Sequence, residues 1–252
     1  MKKILSILLL PVYSFSATSS QEKRESETTH KLSPHHLEIG PQTSNIAIKQ
    51  KGGGGKQVGW ITGGRLEYQY RDKWYVDAYL EKSWGDVNHY YVQDFWTEGT
   101  FGYDVSVKWF SFIPFVGLGY QFFKENQNNT GVSFSTYHPY IPAGLYLETR
   151  VNSMFSVGLI AKGLFSLKTL DYIGGFKGSY WQLKARNDFV IEAPMNFHTE
   201  TRSGVLGFSI VPYYRLIRFG PSISVNSLGV PLGIESQRNV YIGGRIMLTY
   251  GF

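Results

Sequence analysis

Apolar and polar residues alternate with a period of two along the end of the chain. From Val240 to Phe252 one phase reads Val, Ile, Gly, Ile, Leu, Tyr, Phe, while the other contains Arg245, Thr249 and glycines. Such alternation is typical of a β-strand whose two faces meet different environments. An exposed apolar strand at the edge of a soluble sheet promotes aggregation, whereas a closed membrane barrel has no free edge. The closing segment therefore favours a transmembrane β-barrel.

The same period recurs along the chain and predicts about ten strands. The predicted strands cover residues 37–48, 58–71, 74–81, 101–109, 112–122, 137–147, 155–165, 206–215, 219–225 and 239–252. We expect loops at 85–95 and at 168–203, the longest gap. In the first strand the apolar phase changes between Ile39 and Ile46, which predicts a bulge near Pro41.

Long and short connections alternate from the N-terminus onward. The polar stretch 125–131 fills one long gap, and residues 71–73 form a tight turn. Outer-membrane barrels show this order, with long loops outside, short turns in the periplasm and an even number of strands. The predicted fold is all-β: a transmembrane antiparallel up-and-down β-barrel of about ten strands, with eight or twelve as alternatives.

The two faces of the predicted strands differ in chemistry. We expect the apolar face to meet lipid and the charged face to fill the lumen, where the turn at 71–73 sets Arg65 opposite Glu81. The predicted lumen charges are Arg65, Glu67, Asp77, Glu81, Asp104, Lys108, Glu148, Lys162, Arg215 and Arg245. The predicted aromatic girdles are Trp60, Trp84 and Trp96 at the outer rim, and Tyr70, Trp74 and Trp109 at the inner rim.

The N-terminus has the pattern of a secretory signal peptide. Lys2 and Lys3 precede a short apolar run, and small residues allow cleavage after residue 16 or residue 19. Residues 17–34 are rich in Ser, Thr, Glu and Lys and predict a disordered lead-in, so the barrel domain occupies residues 35–252. The chain has no cysteine and a net charge of +6 without a basic run, which excludes a disulfide framework and argues against nucleic-acid binding.

With these features the chain resembles the small outer-membrane β-barrel proteins of Gram-negative bacteria. The resemblance covers roughly residues 37–252 and depends on the signal peptide, the alternating strands and the closing segment. It implies export to the outer membrane and contact with outer-membrane lipid and lipopolysaccharide. It also implies that the barrel assembly machinery reads Ile246, Leu248, Tyr250 and Phe252. We expect a monomer whose surface loops could bind an extracellular ligand.

Three histidines are candidates for chemistry on the outer rim: His89, His138 and His198. A histidine beside acidic residues can act as a general base. Omptin proteases, which are ten-stranded barrels, carry paired Asp residues and an Asp–His pair on this rim. Here segments 86–89 and 196–200 contain neither Asp-x-Asp nor Asp-x-His. We therefore assign no catalytic residue, cofactor or metal site, and favour a protein without enzymatic activity.

Three functions stay open at this point. A lumen filled by paired charges favours a structural role, or binding through the extracellular loops. The alternatives are a narrow passive pore and a rim-located hydrolase, either omptin-like or acting on lipid.

Overall fold

The computed structural model describes residues 33–51, 55–107, 109–127, 132–174, 180–201, 204–222 and 235–252. The first strands are β1 (His35–Gln50), β2 (Lys56–Arg71), β3 (Trp74–Val87), β4 (Tyr90–Tyr103), β5 (Val105–Val107), β6 (Phe110–Gln127) and β7 (Ser133–Arg150). The others are β8 (Phe155–Ser166), β9 (Thr169–Gly174), β10 (Tyr180–Leu183), β11 (Asn187–Glu192), β12 (Met195–Thr201), β13 (Gly204–Phe219) and β14 (Gln237–Gly251). Within these ranges no helix is long and apolar enough to cross a membrane.

The sheet closes on itself because β1 pairs with both β2 and β14. Three of the barrel strands are interrupted and consist of shorter pieces. One consists of β4 and β5, a second of β8 and β9, and a third of β10, β11 and β12. With each interrupted set taken as one, the described chain forms a closed antiparallel barrel of ten strands. The predicted fold class and strand count are confirmed. Closure pairs the backbone groups of every barrel strand, which an apolar bilayer requires.

Two of the predicted loops are wrong. Residues 85–95 belong mainly to β3 and β4, which are joined by a two-residue turn in which Asn88 takes a left-handed φ of 53°. The gap 168–203 contains β9 to β12 and hence the eighth barrel strand. Breaks at 184–186 and 193–194 divide that strand into pieces too short to show a sustained alternation.

The predicted boundary between residues 215 and 219 is also wrong, because β13 runs unbroken through Phe219. Residues 223–225 of the predicted ninth strand lie outside the described residues. The predicted count of ten is correct only because two errors cancel: the eighth barrel strand was missed, and β13 was divided into two strands.

The bulge predicted near Pro41 is absent from β1. The register with β2 is continuous from His35 to Lys49, and the register with β14 is the same on both sides of Pro41. A side chain at Gly40 would collide with the Ile246 carbonyl, so glycine permits the close strand approach there. The apolar phase changes because the lumen itself becomes apolar toward its outer end.

An apolar band surrounds the outside of the barrel. On β3 the exposed Trp74 and Trp84 mark its two edges, and Phe155 and Phe165 bracket the same length of β8. Roughly ten residues at ~3.3 Å each, tilted by about 45°, cover the ~25 Å expected of an outer-membrane barrel. The strands continue beyond the outer edge of this band, where their outward side chains become charged.

Candidate functional site

The centre of the lumen is occupied by buried ion pairs. Glu81 on β3 accepts hydrogen bonds from Arg215 Nη1 and Nη2 on β13 at 2.5 and 2.8 Å. Arg65 Nη1 lies 3.5 Å from the same carboxylate, and Arg65 Nε donates to Glu67 at 2.6 Å. The register places Arg65 directly opposite Glu81, as the short turn predicts. These contacts tie strands on opposite sides of the barrel to one another.

A second pair extends this network. Arg245 on β14 binds Glu192 on β11 through both terminal nitrogens, one of them at 3.3 Å, and Arg215 Nη2 lies 3.8 Å from Glu192. Both guanidinium groups face the Tyr213 ring, at 4.4 Å for Arg215 and 5.7 Å for Arg245. The six charged groups balance in sign: Glu67, Glu81 and Glu192 against Arg65, Arg215 and Arg245. We call these six residues the central network.

Beside the central network, Lys162 on β8 forms a buried ion pair with Glu98 on β4, Nζ to Oε1 at 2.5 Å. The hydroxyls of Tyr140 and Tyr79 donate to the other oxygen of Glu98 at 3.1 and 3.3 Å. The Tyr140 ring lies over Gly119, where any side chain would overlap it. Glycine at this position therefore lets a large ring fill the lumen.

The inner end of the barrel has its own ion-pair group. Arg71 Nε lies 2.8 Å from Asp104 Oδ2, and the same guanidinium binds Glu148. Glu148 also accepts hydrogen bonds from Ser156 at 2.6 Å and Asn196 at 3.2 Å. Four strands thus meet around one carboxylate at the inner opening.

The other predicted lumen charges are Asp77 and Lys108. Asp77 is buried on the inward face of β3 beside the central network. Lys108 lies outside the described residues. Every described member of the predicted set points into the lumen or, for Asp104, into its inner opening.

Above the central network many apolar side chains fill the lumen, interleaved with buried polar groups such as Asp94, Gln121 and His138. The buried side chains of this outer apolar layer are Ile46, Ile48, Ile61, Val87, Val92, Phe123, Leu164, Trp181, Leu183, Val190, Ile217, Phe219 and Tyr241. The same hydrophobic cluster continues downward through Tyr79, Trp96, Tyr140 and Tyr213, which contact the buried charges. The barrel wall here lies beyond the lipid band, so its interior packs like the core of a soluble barrel.

The girdle prediction for Trp96 is wrong. Trp96 is 1% exposed inside the lumen, where its ring meets Tyr140 at 5.9 Å and faces the Arg215 guanidinium at 5.2 Å. The other predicted girdle residues, Trp60, Trp84, Tyr70, Trp74 and Trp109, lie on the outer face. The alternation along β4 could have predicted this, because Trp96 lies on the same inward face as Asp94 and Glu98.

The predicted assembly residues Ile246, Leu248, Tyr250 and Phe252 are exposed on the outer face of the closing strand. The Phe252 ring stacks on His35 at 5.5 Å, and the Phe252 amide donates to the His35 carbonyl at 3.0 Å. The last residue is therefore held against the first strand at the seam of the barrel.

The three candidate histidines do not come together. His89 is exposed in the outer turn between β3 and β4, and His138 is fully buried on β7. His198 lies near the inner end, because β12 belongs to the barrel strand missed in the sequence, and its amide donates to the Met154 carbonyl at 2.9 Å. The placement of His198 on the outer rim is therefore wrong. Among the described residues no group of three or more His, Cys, Asp or Glu side chains has metal-binding geometry.

His138 instead belongs to a row of hydrogen-bonded polar side chains that the sequence analysis did not predict. Its Nε2 lies 2.7 Å from Ser166 Oγ, and its Nδ1 lies 3.4 Å from Gln121 Oε1. Gln121 Nε2 donates to Asp94 Oδ1 at 2.9 Å. Asp188 Oδ2 is 3.9 Å from His138 Nε2. The inward phase of residues 94, 121, 138 and 166 was the available signal, but only the register shows that they meet.

The position of Ser166 gives this chain access to the barrel surface. Both β8–β9 and β10–β11 are interrupted at this level, at residues 167–168 and 184–186. Ser166 Oγ donates its proton to the carbonyl oxygen of exposed Arg186 at 2.5 Å. Because the Ser166 hydroxyl has one proton, it can give that proton to His138 Nε2 only when it releases the Arg186 carbonyl. With His138 Nδ1–H donating to Gln121, that exchange would give the polarity of a nucleophile–base pair.

No protein-family model matches the chain, and no curated protein sequence matches it. Solved structures do: the outer membrane protease OmpT from Escherichia coli aligns with a TM-score of 0.57 at 11% identity, over 89% of this chain and 100% of OmpT. The translocator domain of the autotransporter NalP from Neisseria meningitidis aligns at 0.44 and 12% identity, over 86% and 88% of the two chains. Neisserial surface protein A aligns at 0.37 and 10% identity, over 84% and 95%. These neighbours are outer-membrane β-barrel proteins of differing function. The likeness to OmpT, at 11% identity, shows the fold of this chain alone.

Proposed function

We propose that this protein is a closed outer-membrane barrel with a structural role or a surface-binding role through its outer connections. One observation carries this proposal: the lumen is filled by two successive layers, the ion-paired central network and an outer layer of packed, mostly apolar side chains. An ion crossing the barrel would have to displace both the balanced charges and the packed rings. A narrow passive pore is therefore the less favoured alternative.

Conductance in planar bilayers tests the closed lumen. The refolded full-length protein is added to the bilayer, and its insertion is verified in parallel by heat-modifiable migration on gels. The proposal predicts no discrete current steps from inserted protein. Regular steps of uniform size, rising in number with protein concentration, would establish a pore and contradict it.

Export by the signal peptide, location in a Gram-negative outer membrane, assembly through the closing strand and a monomeric state belong to the same proposal. The apolar band and the exposed closing strand support membrane placement and assembly. Protease treatment of intact cells tests orientation. Cuts are expected only in the outer connections near residues 51–55, 88–89, 128–132, 175–179 and 220–236.

The β9–β10 hairpin is the outer connection best suited to binding. Trp181 packs into the apolar layer and anchors the hairpin, while Tyr180 is exposed and its ring lies 5.0 Å from Tyr172. An exposed tyrosine ring packed on a half-buried one, on an anchored hairpin, resembles the contact residues of protein interfaces. Replacing Tyr172 and Tyr180 by Ser should abolish surface binding to host matrix or cells and leave the barrel folded. Unchanged binding would show that the β9–β10 hairpin is not the binding surface.

A lipid-acting hydrolase is kept as a second candidate because of the Ser166–His138 contact. In that reaction Ser166 Oγ would attack an ester carbonyl while His138 Nε2 takes its proton and passes it to the leaving alcohol. Water would then hydrolyse the acyl-serine. Labelling by a fluorophosphonate tests this: labelling lost in Ser166→Ala and kept in Ser153→Ala, an exposed serine of an inner turn, supports the reaction. If the parent protein is not labelled, the hydrolase reaction at Ser166 is contradicted.

A further inference from the structure

A row of basic side chains crosses four neighbouring strands on the outside of the barrel. The register pairs Arg218 on β13 with Arg238 on β14, Arg238 with Lys49 on β1, and Lys49 with Lys56 on β2. Directly paired residues of antiparallel strands point to the same face, and all four are exposed. We call these four residues the cationic row.

Like charges placed directly opposite one another in a sheet repel, so this arrangement is unfavourable without a counter-charge. The flanking segments 51–55 and 223–234 contain no Asp or Glu, and Glu235 is the one acidic residue in the last outer connection, 220–236. Within the described residues no ion pair is formed by Lys49, Lys56 or Arg238 with an acidic side chain. Three consecutive strands therefore present cations that no acidic side chain of the described residues neutralises.

Arg218 at the end of the row is partly fixed by the barrel. Its backbone amide donates to Asp188 Oδ1 at 2.8 Å, its Nε lies 3.5 Å from the same oxygen, and its guanidinium binds the Asn187 carbonyl. Its side chain is still 44% exposed. A guanidinium held in place on one edge keeps donors free on the other, which suits it to an anionic ligand.

The row lies just beyond the outer edge of the apolar band. On β2, Lys56 is followed on the same face by Val58 and by the exposed Trp60. Four residues of a tilted strand separate Lys56 from Trp60 by about 10 Å along the membrane normal. Tryptophan marks the interface between hydrocarbon and headgroups. The cations thus lie at the depth of the headgroups and not in open water.

We propose that Arg218, Arg238, Lys49 and Lys56 form a binding site for the phosphate groups of an acylated lipid in the outer leaflet. Four adjacent strands at ~4.8 Å spacing give the row a length of about 14 Å, enough for two phosphates on one headgroup. Arginine binds phosphate through paired hydrogen bonds, and lysine adds charge. The acyl chains of the same lipid would lie against the apolar band below. This site depends on the membrane placement proposed above and names one lipid partner of that surface.

Binding of a fluorescent diphosphorylated glycolipid to the full-length protein in zwitterionic detergent tests the site. Lys49→Gln, Lys56→Gln and Arg238→Gln are combined in one variant. Lys73→Gln with Arg150→Gln, two exposed cations at the inner end, is the matched control. The triple variant should bind at least tenfold more weakly, while the control variant binds as the parent does. Equal affinity of parent and triple variant, or equal loss in both variants, would overturn the proposal.

Two further arms define the ligand. The dephosphorylated glycolipid and phosphatidylglycerol should each bind at least tenfold more weakly than the diphosphorylated glycolipid, and millimolar inorganic phosphate should not displace it. Equal binding of phosphatidylglycerol would mean unspecific attraction to membrane charge, and displacement by inorganic phosphate would mean a free-phosphate site; either result contradicts the proposal. Heat-modifiable migration of each variant reports membrane-barrel folding separately, so failure of the lipid site can be told apart from failure of the barrel assignment.

Discussion

Removing one carboxylate from the central network should destabilise the barrel strongly. Glu81→Gln keeps the size and shape of the side chain but leaves Arg215 and Arg65 with one anion fewer, deep in the lumen. Breaking a buried ion pair from one side typically costs about 3–5 kcal/mol, because an uncompensated charge stays buried. Because Glu81 is the carboxylate that pairs with Arg215 and also lies near Arg65, its loss leaves the Arg215 guanidinium without its paired anion, and the cost should be at least about 3 kcal/mol.

Guanidinium unfolding in lipid vesicles, followed by tryptophan fluorescence, measures that cost. Glu235→Gln, an exposed carboxylate of the last outer connection, is the control and should change the free energy of unfolding by less than about 0.5 kcal/mol. Replacing Glu81 and Arg215 together by Met should recover most of the loss, because neither leaves the other unpaired. A loss below about 1 kcal/mol for Glu81→Gln would refute the balanced, buried network.

Three other predictions concern separate parts of the molecule. Gly119→Ala should destabilise the barrel in the same unfolding assay because its methyl group overlaps the buried Tyr140 ring, whereas Gly99→Ala, with open space around it, should not; equal effects would contradict the packing. Beyond the lipid band, burial raises the pKa of Asp171 to about 7, so the folded hairpin keeps a proton that the unfolded chain releases from about pH 4 upward. Stability of the β9–β10 hairpin should therefore fall between about pH 4 and 7, and Asp171→Asn should remove this dependence in hydrogen exchange corrected for intrinsic rates; an unchanged pH profile in the variant would contradict it. Deleting Phe252 should lower the yield of heat-modifiable barrel in cells, and a normal yield would show that the closing residue is dispensable for assembly.

The barrel could be predicted from the sequence because period-two alternation is a local property of each long strand. The closing strand and β2 show it without interruption, and the short turn after Arg71 fixed the register that joins Arg65 to Glu81. The eighth barrel strand could not be found in this way. Its pieces, β11 and β12, have six and seven residues, and the break at 193–194 lies between them.

The content of the lumen was only half predictable. The rule that charged residues face inward holds where lipid surrounds the wall, and it correctly places Glu81 and Arg215 inside. It fails beyond the band, where hydrocarbon no longer surrounds the wall and apolar side chains such as Ile48 and Val92 turn inward. The apparent bulge near Pro41 had this origin: the environment outside the wall changed, while the strand register did not.

The contacts between distant strands could not be predicted at all. Ser166 and His138 are separated by a turn and most of two strands, and the cationic row joins residues from both ends of the chain. Each residue alone is an ordinary serine, histidine or surface lysine. Only the closed register brings them together, and closure is a property of the whole barrel.

The assignment of faces is tested most directly by tryptophan quenching in lipids brominated on their acyl chains. Two single-tryptophan proteins are needed, one keeping Trp60 and the other keeping Trp96, with the other five of the six tryptophans changed to Phe in each. Trp60, on the outer face, should be quenched strongly, and Trp96, inside the lumen, should keep its fluorescence. Strong quenching of Trp96 together with protection of Trp60 would show that the inside and the outside of this barrel have been exchanged.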